Sequence, residues 1–135
     1  MWASGAITRW KDRGDPLAWD DYYPNMAVNG VWTSLNLSSI VGARRCKIDL
    51  RVYMTSNPAP SIFEIALPGT DWYINQDQAI SYFNSVPINT TLHGITNQYG
   101  RIWYKATTGG IVNLVVSVRG WRRLILPPEF PVVPG

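Results

Sequence analysis

The chain has 135 residues, of which 46% are hydrophobic and 16% charged, with a net charge of +3. That length suits one domain and can bury one core without staples. The apolar content excludes a disordered chain, one cysteine excludes an internal disulfide, and no apolar run approaches the ~18 residues of a membrane span.

Residues 1 to 29 form an irregular aromatic arm. Trp2, Trp10 and Trp19 are mixed with Asp12, Asp15, Asp20 and Asp21, and Gly14, Pro16 and Pro24 break any period. So many aromatics must pack on something, either their own domain or a neighbour. The opening MWASGAITRW has no basic n-region followed by a long apolar stretch, which predicts no secretion signal.

Period two begins at Gly30. Val31, Thr33, Leu35 and Leu37 are predicted to share one face of a first strand. In RRCKIDLRVYM the alternation is cleanest: Cys46, Ile48, Leu50, Val52 and Met54 point one way, and Arg45, Lys47, Asp49, Arg51 and Tyr53 the other. Cys46 thus reads as a small buried hydrophobe. SNPAP (56–60) is a turn, because Pro58 and Pro60 cannot serve a central ladder. SIFEIAL is a strand closed by Pro68-Gly69. DWYINQ and AISYF read as two short strands around Asp77. In VPINTTLHGI the residues Val86, Ile88, Thr90 and Leu92 are in register, and Pro87 marks an edge or a strand start.

GRIWYKATTGGIVNLVVSVRGW (100–121) reads as a hairpin turning on Thr107-Thr108-Gly109-Gly110. Ile102, Tyr104 and Ala106, then Val112, Leu114, Val116 and Val118, form its inner face. Its outer face carries Arg101, Trp103 and Lys105 on one arm, and Ile111, Asn113, Val115, Ser117, Arg119 and Trp121 on the other. Residues 127–135 form an extended tail with Pro127, Pro128, Pro131 and Pro134, held to a surface by Phe130, Val132 and Val133. No helix is predicted. The expected fold is all-β: an antiparallel sandwich over 30–126, jelly-roll or Ig-like, or a small barrel, between the arm and the tail.

Catalytic groups are few. His93, at a strand end beside Gly94, reads as a surface histidine. Glu129 sits between prolines, and nothing places a second carboxylate opposite Glu64 for a glycosidase pair. One histidine and one cysteine cannot hold zinc, and the arm aspartates do not match a calcium loop. No phosphate loop or cofactor fingerprint is present. Arg13-Gly14-Asp15 spells an adhesion tripeptide but is too short to carry weight. The expectation is no enzyme, no metal and no cofactor.

Recognition remains. The charged fraction is low against about 25% in ordinary domains, as for a surface partly covered in use, although a large antiparallel sheet gives the same bias without any partner. Trp32, Trp103 and Trp121 fall off the apolar register of their strands. Tryptophan and arginine are enriched at protein interfaces. The candidate interface is therefore Trp2, Trp10, Trp19, Trp32, Arg101, Trp103, Lys105, Arg119, Trp121 and Phe130. The twelve basic residues look scattered, with no run that marks a nucleic-acid tail, so nucleic acid and membrane are not expected partners.

The stretch GRIWYKATTGGIVNLVVSVRGW, with an aromatic arm before the sandwich and a proline-rich tail after it, resembles small β-sandwich structural proteins of tailed-bacteriophage virions. These are capsid decoration (cement) proteins and tail or fibre modules. The resemblance implies a non-enzymatic virion protein, assembled in the host cytoplasm, that clamps neighbouring capsid subunits as a symmetric oligomer, commonly a trimer. The alternative is a carbohydrate- or receptor-binding module of a fibre, with exposed tryptophans stacking on sugars.

Overall fold

A computed structural model describes residues 9–14, 19–68, 73–107 and 110–124. The strands are β1 (Lys11–Asp12), β2 (Asp21–Tyr22), β3 (Thr33–Asn36), β4 (Cys46–Ser56), β5 (Ser61–Pro68), β6 (Tyr73–Ser81), β7 (Ile88–Ile95), β8 (Arg101–Ala106) and β9 (Ile111–Arg123). A single turn of helix, α1 (Ser38–Val41), interrupts the strands and was not expected.

The strands form two antiparallel sheets. The larger runs β2-β9-β4-β7, with β1 beside β2 along the same edge of β9, and the smaller runs β3-β8-β5-β6. From β2 onward the chain changes sheet at every step except β5 to β6. That is the jelly-roll order of two Greek keys folded together, and it decides between the two sandwich types left open by the sequence.

The core lies between the sheets. The expected inner row of β4, Cys46, Ile48, Leu50, Val52 and Met54, is fully buried. Burying a side chain of this size contributes about 1.5–3 kcal/mol. Phe63 on β5 stacks on Tyr104 of β8 with ring centroids 5.6 Å apart. Ile102, Tyr104, Ala106, Leu114, Val116 and Val118 are buried as read from the alternation.

Four readings are corrected. First, β8 and β9 are not a hairpin. β8 pairs with β3 and β5, whereas β9 pairs with β4, β1 and β2. The connection crosses between sheets, held close to the 57–61 loop: Gly110 accepts the Asn57 N–H at 2.7 Å, and a Cβ on Gly110 would collide with Ser61 Oγ and the Pro58 carbonyl. Second, β9 carries two bulges. Residue Val112 is extra between the pairs Ser56–Ile111 and Thr55–Asn113, so Ile111 turns in and Val112 stands 55% exposed, the reverse of the alternation. Arg119 is extra between Leu50–Val118 and Asp49–Gly120, so Trp121 pairs with Ile48 and packs on the core. Third, the segments around Asp77 are one strand, β6, with its extra residue at Gln76. Fourth, Val31 lies before β3 and is 60% exposed rather than on the inner face.

The stretch before Gly30 packs on its own sandwich wherever it is described. β1 and β2 form the sheet edge, and Met26 is buried in the core with Val28 against it. Between these two strands the ladder is completed by side chains. The Asp20 carboxylate accepts the Val118 N–H at 2.6 Å, and Arg13 donates to the Val118 carbonyl at 2.9 Å while gripping Asp20 at 2.7 and 3.1 Å. Trp2, Asp15, Phe130 and the 127–135 tail lie outside the described residues.

Candidate functional site

Sheet pairing divides the ten candidate interface residues between different surfaces. Arg101, Trp103 and Lys105 alternate outward from β8, on the outer face of the smaller sheet. Ser34 is opposite Trp103 and Glu64 is opposite Lys105. Arg101 donates to Ser34 Oγ at 3.0 Å. The Lys105 ammonium lies 4.9 Å over the Trp32 ring and 3.7 Å from Glu64. This places the cation between a π face and a carboxylate, beside an open cleft of about 370 Å³ lined by Gly30, Glu64, Lys105 and Thr107. Glu64 thus faces a cation, the opposite of the second carboxylate that a glycosidase pair needs.

The remaining described candidates belong to the larger sheet. Trp10 is 40% exposed and lies flat against Gly120, where any Cβ would meet its ring. Trp19 is 51% exposed beside the Arg13–Asp20 clamp, and Arg119 is exposed on its bulge. Trp121, half-buried, turns inward, with Lys11 5.6 Å from its ring centre.

Two features were missed by the sequence reading. The first is one end of the sandwich. There the loops 57–60 and 82–87 meet Gly110 at the foot of β9, joined by Asn57 Nδ2 to Ser85 Oγ at 3.2 Å, Ala59 N–H to Asn84 Oδ1 at 2.6 Å, Ser85 N–H to the Ser56 carbonyl at 2.7 Å, and the Asn57–Gly110 bond. Ser85 takes φ of 60°, in the left-handed region that a serine adopts only where its surroundings fix it. This held loop end displays Tyr82, Phe83, Val86 and, from the bulge, Val112, at 66, 70, 50 and 55% exposure. Residues 56–60, 82–87 and 110–113 contain no charged side chain. The sequence signal was present: Asn84-Ser85 followed by Pro87 is turn chemistry, but Tyr82 and Phe83 were read into a strand.

The second is His93. It sits inside β7, opposite Asp49 on β4, and its Nδ1 meets Asp49 Oδ1 at 2.7 Å. Its own N–H donates to Asp77 at 2.9 Å, and the neighbouring Gln76 amide holds both the N–H and the carbonyl of Ile95 at 2.6 and 3.2 Å. These side chains stitch the edge of one sheet to the edge of the other. A cleft of about 440 Å³, lined by Lys47, Gln76, His93, Gly94 and Ile95, opens beside them.

Cys46 is fully buried and donates to the Val41 carbonyl at 3.5 Å. Burial pushes its thiol pKa up, against the opposing pull of Arg44 and Arg123. Among the described residues no group of three His, Cys, Asp or Glu side chains could hold a metal.

No protein-family model matches the chain, and no curated protein matches it in sequence.

Proposed function

We propose that the protein is a non-enzymatic structural subunit of a virion, which binds neighbouring capsid subunits and copies of itself through the loop end of the sandwich. One observation carries this reading: a loop end without charge, fixed by hydrogen bonds, that presents two aromatic rings and two valines to solvent. An isolated surface seldom leaves such an apolar patch uncovered, and its fixed shape lowers the entropic cost of docking. The jelly-roll order supports the reading because capsid proteins use it, although lectins and cupins share the architecture. The symmetric oligomer, a trimer by resemblance, belongs to the same proposal.

The test is the variant Tyr82→Ser/Phe83→Ser, examined by native mass measurement and by co-sedimentation with capsids. Loss of oligomers and of capsid binding, with an unchanged melting temperature, is expected. A wild-type chain that stays monomeric and ignores capsids at high concentration would refute the proposal.

A second reading, a glycan site, is favoured by the Trp32–Lys105–Glu64 arrangement beside its cleft. The Lys105 ammonium already lies over Trp32, and a sugar stacking there must displace it. A glycan array on the intact chain decides this reading. It is lost if no sugar binds, or if Trp32→Ala leaves binding unchanged.

A further inference from the structure

The basic residues that look scattered along the chain are gathered by β-pairing. Cys46 lies opposite Arg123 and Lys47 opposite Arg122, while the Leu124 N–H donates to the Arg45 carbonyl at 3.0 Å. The start of β4 and the end of β9 therefore bring Arg44, Arg45, Lys47, Arg122 and Arg123 to one end of the larger sheet. Arg44, Lys47 and Arg123 are exposed, and Arg45 and Arg122 half-exposed. These five are drawn from twelve Lys and Arg in the chain.

The nearest carboxylate along β4 on the Lys47 face is Asp49, which is bonded to His93. Setting aside the five cations and Asp49 leaves, among the described residues, seven basic side chains against the five carboxylates of Asp12, Asp20, Asp21, Glu64 and Asp77. Most of the positive excess of the described residues therefore resides at this end. The cleft of about 440 Å³ continues the patch, since Lys47 and His93 both line it.

Loop 96–100 abuts the same end. Thr96 Oγ1 donates to the Arg44 carbonyl at 3.0 Å, and Gly100 packs against the Gly42 carbonyl. That loop carries Tyr99, 61% exposed.

We infer that this end of the sandwich binds the backbone of a single-stranded nucleic acid, with phosphates on the five cations and a base on Tyr99. The inference is independent of the loop-end docking proposed above and goes beyond it. Four of the five cations are arginines, whose planar fork matches phosphate oxygens. Arg45 and Lys47 stand two strand residues apart, about 6.6 Å, a spacing within reach of successive phosphates on one strand. An exposed ring beside a basic groove is the combination that holds unpaired bases by stacking. An acidic protein segment would use the cations but would leave Tyr99 without a role.

The test is fluorescence anisotropy of a labelled oligothymidylate with the full chain across a salt series. Five phosphate contacts predict a log–log salt slope of about −3.5 for a single strand. The variant Arg44→Ser/Lys47→Ser/Arg123→Ser should bind at least tenfold more weakly and lower the slope by about 2. Tyr99→Ala should weaken binding roughly tenfold. Lys105→Ser, at the far end of β8 on the other sheet, should change neither affinity nor slope.

Should the triple variant fail to fold, amide shift mapping on the wild-type chain answers the question. Residues 44–47, 96–100 and 122–123 should move on titration with oligothymidylate, and residues 82–87 should not. The inference is overturned by absent binding at low salt, by shifts confined to the loop end, by a Tyr99→Ala variant that binds like wild type, or by polyglutamate binding more tightly than oligothymidylate.

Discussion

Replacing Asp20 by alanine removes three interactions at once: the acceptor for the Val118 N–H at 2.6 Å and both halves of the Arg13 fork at 2.7 and 3.1 Å. Val118 is fully buried, so its N–H is left without a partner in a place water does not reach. An orphaned buried donor costs about 1–3 kcal/mol. Arg13 is 29% exposed and regains some hydration, so its lost partner adds only about 1 kcal/mol or less. The sum is about 1–4 kcal/mol. At roughly 3–5 °C per kcal/mol for a chain of this size, the melting temperature should fall by about 10 °C.

Arg13→Ala is milder, since Asp20 still accepts from Val118; about 1–2 kcal/mol is expected. Because the two side chains act as one unit, the double variant should be less destabilised than the sum of the singles, by about 1 kcal/mol. Urea unfolding of the four proteins measures the cycle, and hydrogen exchange at Val118 reports the local opening directly. An Asp20→Ala protein that melts within about 1 °C of wild type, or strict additivity in the double variant, would refute the idea that these side chains complete the ladder.

Three further outcomes are expected. Gly120→Ala should push the Trp10 ring off the sheet, since a Cβ there would meet Cζ2 at 2.5 Å; fluorescence should shift to the red and stability fall by about 1–2 kcal/mol, with little further loss when Trp10→Ala is added. Burial raises the pKa of both the Cys46 thiol and the Tyr104 hydroxyl above their ordinary values of 9.0 and 10.0, so the folded state holds these protons more tightly; the contribution is present in full below those values and is lost as pH rises through the folded ones. Urea midpoints should accordingly decline above pH 9, and thiol reagents should label Cys46 no faster than the chain unfolds, which a labelling time course at varied urea checks. Gln76→Ala should free both backbone groups of Ile95 and speed hydrogen exchange there before it lowers global stability, an order that native-state exchange resolves.

Local alternation made most of the fold legible. RRCKIDLRVYM and SIFEIAL were read correctly because a buried inner row and a polar outer row impose a period of two that no long-range partner alters. Pairing was not legible. The stretch from Gly100 to Trp121 has every local mark of a hairpin, yet its arms join different sheets, because each pairs with strands distant in sequence and the crossing connection is held by the Asn57–Gly110 and Thr107–Ile62 hydrogen bonds. The bulges at Val112 and Arg119 were hidden for a related reason. One extra residue shifts the side-chain parity of everything beyond it, and only the partner strand records the insertion. Trp121 looked outward by counting from Val118, whereas counting from Ile48 turns it in.

The low charge content acquires a different meaning once the strands are paired. Spread evenly, 16% charged residues would describe a bland surface. The antiparallel pairing of β4 with β9 instead separates two unlike ends. Cys46 and Arg123 mark the end that holds most of the positive excess of the described residues, and Ser56 and Ile111 mark the end where the uncharged loops meet. The eleven residues of β4 put those ends roughly 35 Å apart. That distance exceeds several Debye lengths at physiological salt, so charge at one end has little influence on docking at the other. The two proposed contacts can therefore form together without competing, and each can be removed by substitution without disturbing the other. A single copy joining a protein lattice at its apolar tip would still present its cations to a polyanion on the opposite side.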